Sequence, residues 1–250
     1  MRSPSTVSAG KLLSEDGQRI AYDHYDKSRS SVIVIAHGFF NSKRAVVLRQ
    51  LAQAFWEDHD VFLFDFRGHG QSSGLFTWTS KEGQDLAAVL NHLRPKYQNI
   101  GLVGFSFGGS IAINALSKDK RVDSFICVSA PAFARKIDYR FWELDLQKDL
   151  FYTLLSREGR QGKGVRPGPF WLKTEDPVNN ISKLTVPIFF IHGTKDWVVK
   201  PGHSQALYDR AKGDKEIFYV QGGRHGEFLM KDEPQLFVRK AQDWFQRTLA

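Results

Sequence analysis

A serine with glycine two residues away on either side, Gly104-Phe105-Ser106-Phe107-Gly108-Gly109, separates the apolar run Ile100-Gly101-Leu102-Val103 from the helix-like stretch Ser110 to Leu116. The pattern reads as strand, tight turn and helix. Such a turn forces its central residue into a strained backbone conformation, and flanking glycines let strand and helix approach where a Cβ would clash. The hydroxyl of Ser106 is then held out above the end of the strand. With 21 glycines in 250 residues, this spacing arises by chance in roughly one such chain in ten. Residues further along the chain add the specificity that the turn alone lacks.

A serine hydroxyl attacks carbonyls poorly until a neighbouring base takes its proton, and that base must be held in one tautomer by an acid. Two downstream loops supply both. The strand-like Pro187-Ile188-Phe189-Phe190-Ile191-His192 runs into Gly193-Thr194-Lys195-Asp196, and the strand-like Glu216-Ile217-Phe218-Tyr219-Val220 runs into Gln221-Gly222-Gly223-Arg224-His225. Asp196 and His225 thus both lie just past a strand end. Asp138, Asp176 and Asp214 compete with Asp196 from less suitable positions, and His203, near a helix start, competes with His225. His37, His69 and His192 read as packing or loop histidines. The order Ser106, Asp196, His225 is that of the α/β-hydrolase fold and differs from the order in the two common serine-protease folds. The chain resembles the α/β-hydrolase superfamily, in its serine esterase branch of monoacylglycerol-lipase-like and cinnamoyl-esterase-like enzymes.

Two further segments extend the resemblance over nearly the whole length. His37-Gly38-Phe39-Phe40 follows the buried-strand run Val32 to Ala36, where relatives carry a loop whose backbone amide makes half of the oxyanion hole. The resemblance assigns one donor to the N–H of Phe39, with Phe40 the nearest competitor, and the other to the N–H of Phe107. Asp65-Phe66-Arg67-Gly68-His69-Gly70-Gln71-Ser72, after the strand-like Val61 to Phe64, resembles a turn that many relatives carry. It reads as loop scaffolding.

Alternation of strand-like and helix-like runs argues an α/β fold, a mostly parallel central sheet with helices on both faces. Arg19 to Tyr25 reads as an early antiparallel strand. Helices are expected over Lys43–Trp56, Lys81–Leu93, Phe107–Leu116, Gly202–Ala211 and Glu233–Arg247. Between Pro131 and Val186 the alternation lapses for longer than an ordinary connection. Relatives insert a cap there, so the chain divides into a core of residues 1–130 and 186–250 and a small lid of residues 131–185. The lid's Tyr139, Trp142 and Trp171 are expected to form one wall of a substrate pocket or to pack the lid's underside, and Phe40 and Phe105, with Phe39 and Phe107, the other wall.

Composition narrows the remaining classes. The formal charge of +8 comes from Lys and Arg scattered without long runs, which reads as a basic surface rather than a nucleic-acid face. A local excess, with Arg157, Arg160, Lys163, Arg166 and Lys173 against Glu158 alone, reads as a solvated loop. No apolar stretch approaches the roughly 20 residues that cross a bilayer. Residues 1–10 lack the apolar segment of a signal peptide and read as a loose tail. A cytoplasmic location is expected. Cys127, the only cysteine, reads as a buried filler. No metal-ligand cluster, Walker loop or nucleotide fingerprint occurs, so no metal or cofactor is implied.

The expected activity is hydrolysis of a carboxylic ester through a Ser106-His225-Asp196 triad and an acyl-enzyme. The loop at Gly38 and the small lid most resemble esterases of short acyl and hydroxycinnamoyl esters. Thioesterase, aminopeptidase and carbon–carbon hydrolase activities use the same triad. A noncatalytic ligand-binding member of the fold is the reading from another class. The expected partner is a small ester, with a homodimer left open.

Overall fold

The structure, a computed structural model, describes residues 6–133 and 164–249. Among them runs a sheet of eight strands: β1 (Thr6–Leu13), β2 (Arg19–Asp26), β3 (Ser31–Ala36), β4 (Asp60–Phe64), β5 (Asn99–Phe105), β6 (Ser124–Val128), β7 (Ile188–Gly193) and β8 (Lys215–Val220), in the order β1-β2-β4-β3-β5-β6-β7-β8. From β4 across to β8 every pairing is parallel, while β1 and β2 run antiparallel at one edge. Parallel strands finish at the same end of the sheet. The loops that leave β3, β5, β7 and β8 therefore converge on one side of the molecule.

Period-two alternation sends neighbouring side chains of each strand to opposite faces. Val32, Val34, Phe62, Phe64, Ile100 and Leu102 pack on one face, and Ile33, Ile35, Val61, Leu63, Val103 and Phe105 on the other. Both faces are apolar, as a sheet covered on both sides requires. Helices α2 (Glu82–Leu93), α3 (Phe107–Leu116) and α4 (Gly202–Arg210) cover the first face, and α1 (Val46–Phe55) and α5 (Pro234–Thr248) the second. In α1 the buried side chains Val47, Leu48, Leu51, Ala52 and Phe55 fall at helical spacing, so one stripe meets the sheet.

The expected mostly parallel α/β architecture with helices on both faces is present, and the five expected helices lie within three residues of their observed bounds. The tail reading needs correction. From Thr6 onward the chain is β1, paired antiparallel with β2. Its side chains are mostly exposed, so no hydrophobic alternation marks it and main-chain hydrogen bonds hold it. Tyr22 lies across Gly10, where an added Cβ would stand 2.6 Å from the phenol oxygen. Most of the expected lid, residues 134–163, lies outside the described residues. On its return the chain forms bridges from Val165 to His69 and from Pro167 to Phe76. No helix among the described residues is long and apolar enough to cross a membrane.

Candidate active site

Ser106 follows β5 directly and precedes α3, with φ 50° and ψ −120°. A side chain in this region costs of order 1–3 kcal/mol and persists only where the surroundings hold it. Two features hold it here. Its N–H donates to the carbonyl of Val128 on β6 at 2.8 Å, and α3 begins so close to β3 that a Cβ on Gly108 would lie 2.4 Å from the Ala36 carbonyl oxygen. Only a glycine fits at position 108.

The loop after β8 brings His225 over this turn. Its Nε2 lies 2.9 Å from Ser106 Oγ, and its Nδ1 lies 2.7 Å from Asp196 Oδ2 on the loop after β7. An ionised carboxylate only accepts, so Nδ1 carries the hydrogen. Nε2 is then left with a lone pair toward the serine hydroxyl. The structure thus brings Ser106, His225 and Asp196 together in one hydrogen-bonded series, all three buried. Of their sequence rivals, His203 Nδ1 is occupied by the Ala132 N–H at 3.1 Å, Asp176 immediately precedes the short helical turn Pro177–Asn180, and Asp138 lies outside the described residues.

Burial alone would raise the Asp196 carboxyl, but the neighbouring His225 and the hydrogen bonds from His192 and His225 overcome it and hold the group well below the usual carboxylate range. Oδ1 accepts the N–H groups of Val198 and Val199 at 2.9 and 2.8 Å. Oδ2 faces His192 Nε2 at 3.1 Å besides His225. For His225, burial works against the charged form, yet the adjoining Asp196 carboxylate prevails and raises the imidazole above its ordinary value, with Glu227 acting in the same direction. A base of this kind takes a serine proton more readily than a free imidazole would.

The loop after β3 faces the same turn. An added Cβ on Gly38 would lie 3.2 Å from Ser106 Cβ. His37 sets the orientation of the next peptide. Its Nε2 accepts from the Phe66 N–H at 3.0 Å, so its Nδ1 carries the hydrogen and donates to the Gly38 carbonyl at 2.7 Å. Burial keeps this imidazole neutral by lowering its pKa. In a trans peptide the carbonyl and the following N–H point in opposite directions. A ring that fixes the Gly38 oxygen therefore turns the Phe39 N–H the other way. Phe107 is the first residue of α3, where a helix has no internal acceptor for its N–H. Among the described residues no carbonyl accepts from the N–H of Phe39 or Phe107. Phe40, the competing donor, has φ 63°.

Aromatic rings wall the approach. The Phe39 ring is stacked on Trp78 at 5.5 Å between centroids and lies 5.4 Å from Phe76 and 6.0 Å from Phe107. Phe40, half-buried, lies 6.3 Å from Phe39. Two expected wall residues are misplaced. Phe105 shares the strand face of Val103, so its ring stacks on Phe237 of α5 at 6.0 Å and has no exposed surface. It is a core residue. Trp171 is 70% exposed, with its ring against Phe170. It stands at the surface rather than in a wall. Tyr139 and Trp142 lie outside the described residues. Trp78, half-buried, belongs to the wall without having been expected there, while Phe76 is buried behind it in the core.

The Asp65 to Ser72 turn holds its neighbours as scaffolding does. Asp65 accepts the N–H groups of Lys43 and Gln71 at 2.7 and 2.8 Å. Arg67 clamps buried Asp85 and partly exposed Asp16, each at 2.7 Å. At the opposite end of the sheet, His24, Asp26 and Asp60 bring possible metal-ligand atoms within 4.8 Å of one another. Protein groups already occupy them: Asp60 accepts from Lys27 N–H, Arg29 N–H and the Tyr97 hydroxyl, which also bonds His24. The cluster reads as a satisfied polar network.

Residues 31–162 match the family model described as the alpha/beta hydrolase fold. The chain belongs to the α/β-hydrolase fold family. Within this α/β hydrolase, residues 171–232 match a further model, serine aminopeptidase S33, in the stretch that holds Asp196 and His225. Among curated relatives, the uncharacterized protein YqkD of Bacillus subtilis is 27% identical over 69% of this chain and 58% of its own length. The AB hydrolase superfamily protein YisY of the same organism is 28% identical over 68% of this chain and 75% of its own length. The chain spans little more than half the length of YqkD and of the uncharacterized protein YfhR of Escherichia coli, at 58% and 53%. Solved structures share the fold. The esterase Pf2001 of Pyrococcus furiosus superposes with a TM-score of 0.78 at 22% identity, covering 98% of this chain and 92% of its own. The esterase RhEst1 of Rhodococcus sp. ECU1013 does so with 0.79 at 19% identity, covering 96% and 99%.

Proposed function

We propose that this α/β hydrolase cleaves carboxylic esters, with Ser106 as nucleophile, His225 as general base and acid, and Asp196 as the acid that orients it. The hydrogen-bonded series from Ser106 Oγ through His225 to Asp196 carries the reading. Esterases among the structures of like fold support it.

Ser106 Oγ forms a bond to the ester carbonyl carbon while its proton passes to His225 Nε2, and the carbonyl π pair moves onto oxygen. The N–H groups of Phe39 and Phe107 stabilise that oxyanion, each contributing a factor of about 10² to 10³ in rate. Asp196 stabilises the imidazolium. As the carbonyl re-forms, the bond to the alcohol oxygen breaks and His225 Nε2 returns the proton to it. Water, deprotonated by the same histidine, attacks the acyl-enzyme, and collapse releases the acid and restores Ser106. Phe39, Phe40, Trp78 and Phe107 present apolar and aromatic surface to the substrate, which favours short acyl and aryl esters, including hydroxycinnamoyl esters. Residues 131–185 include the insertion that this proposal takes as a cap.

A fluorophosphonate probe and an ester panel test the proposal. Stoichiometric labelling at Ser106 is expected, with turnover of p-nitrophenyl acetate or butyrate that Ser106→Ala abolishes. An inert Ser106, or activity surviving in that variant, rejects it. The serine aminopeptidase match over the residues that hold Asp196 and His225 favours a second reading, release of an N-terminal amino acid. An aminoacyl p-nitroanilide belongs in the panel for that reason, and preferential cleavage of it over every ester would select the amide reading.

A further inference from the structure

Glu227 lies two residues past His225, in the middle of a short helical turn over Gly226–Phe228. Its half-buried carboxylate leaves its own loop and reaches the loop after β3. Oε1 accepts the Gly38 N–H at 3.1 Å, across 189 positions of sequence. An added Cβ on Gly38 would lie 3.0 Å from that oxygen and 3.2 Å from Ser106 Cβ, so the carboxylate and the nucleophile flank one glycine. The next N–H along the chain belongs to Phe39.

We infer that Glu227 is a positioning residue that ties the donor loop at Gly38 to the loop that carries His225. This rests on the proposed roles of Ser106, His225 and Phe39. Two anchors then fix the Gly38 unit. Glu227 holds its N–H, and His37 Nδ1 holds its carbonyl. With both ends of Gly38 held, the Phe39 amide keeps its direction without help from the substrate. Such preorganisation is what an oxyanion donor needs, since reorganising dipoles during the reaction forfeits most of their effect.

The same carboxylate brings a negative charge beside the imidazole. The groups that act on His225 are Asp196 from the loop after β7, with His192 on the same carboxylate, Ser106 from the turn after β5, and Glu227 on its own loop, while the cations nearest in sequence, Arg224 and Lys231, are engaged elsewhere. The Arg224 guanidinium pairs with Asp232 at 2.5 Å, and Lys231 Nζ lies 5.5 Å over the Phe228 ring. Glu227 acts on His225 in the same sense as Asp196, favouring its protonated form.

Two substitutions separate the tether from the charge, read as kcat and kcat/KM of p-nitrophenyl acetate against pH. Glu227→Gln retains an oxygen for the Gly38 N–H and loses the charge. Its acid limb of kcat/KM is expected to move to lower pH, with an alkaline plateau that falls less than in the second variant. Glu227→Leu loses both, and its plateau kcat is expected to drop by on the order of 10- to 100-fold with a much smaller change in KM, the loss that a misplaced catalytic group brings. An acid limb of Glu227→Gln that superimposes on wild type overturns the inference. So does a Glu227→Leu plateau equal to wild type. If Glu227→Leu does not fold, the limb of Glu227→Gln decides alone. Wild type without Ser106-dependent turnover refutes the proposed ester hydrolysis instead.

Discussion

His192 and His225 meet on one oxygen of Asp196, at 3.1 and 2.7 Å. The second oxygen takes two backbone N–H groups, so four donors surround a single buried carboxylate. His192 cannot turn away. Its Nε2 also faces the Val199 carbonyl at 2.8 Å, a pure acceptor, which places the hydrogen on Nε2. Its Nδ1 meets Ser204 Oγ at 2.6 Å. An asparagine at 196 would put an NH₂ group among these donors and favour the wrong tautomer of His225. Asp196→Asn is expected to cut kcat on p-nitrophenyl acetate by on the order of 10³ to 10⁴, with an unchanged circular dichroism spectrum. An unaffected rate would place the acid elsewhere.

In the proposed mechanism the pH dependence originates in His225. A general base must be neutral to accept the serine proton, and Asp196 raises this imidazole above the ordinary histidine value of 6.5. Activity is therefore lost as pH falls through that raised value. The acid limb of kcat/KM, which reports the free protein, should have its midpoint above 6.5. A midpoint at or below this value would mean that a different group titrates.

Backbone strain at Ser106 has a measurable cost. Alanine at φ 50° remains strained, whereas glycine does not. Ser106→Ala and Ser106→Gly should both be inactive. Ser106→Gly should nevertheless unfold at higher urea than Ser106→Ala, by about 1 kcal/mol. Equal midpoints would show that the turn is not under strain.

The parallel core and the three residues at its loops are legible in the sequence for the same reason. Runs such as Val32 to Ala36 are apolar at every position because both faces of the strand are covered, and each chemical residue sits just beyond such a run. β1 leaves no trace because an exposed edge strand needs no apolar pattern. Phe105 adjoins Ser106 in sequence, which suggests a place in the pocket wall. Strand parity turns its ring to the far face of the sheet. Glu227 and the His192 contact with Asp196 stay hidden for another reason, since each depends on distances that only the folded sheet sets.

Arg67 offers a test of the scaffolding turn. Its guanidinium is the partner of Asp85, whose side chain has no exposure and whose carboxyl burial pushes up to about 6 against the opposing effect of Arg67. Arg67→Met would strand a buried carboxylate. The expected loss is about 3 to 5 kcal/mol of stability, read by urea unfolding at neutral pH. A loss below about 1 kcal/mol would mean that Asp85 escapes to water or takes up a proton cheaply.

His225 hangs from β8, the last strand of the sheet, which pairs with β7 alone and keeps only Val220 buried among its side chains. Its partner Asp196 is rooted in β7, packed between two strands. Gentle warming can therefore peel the outermost ribbon from the sheet while the interior stays folded. Catalysis would then fade reversibly at temperatures where calorimetry still finds most of the protein intact.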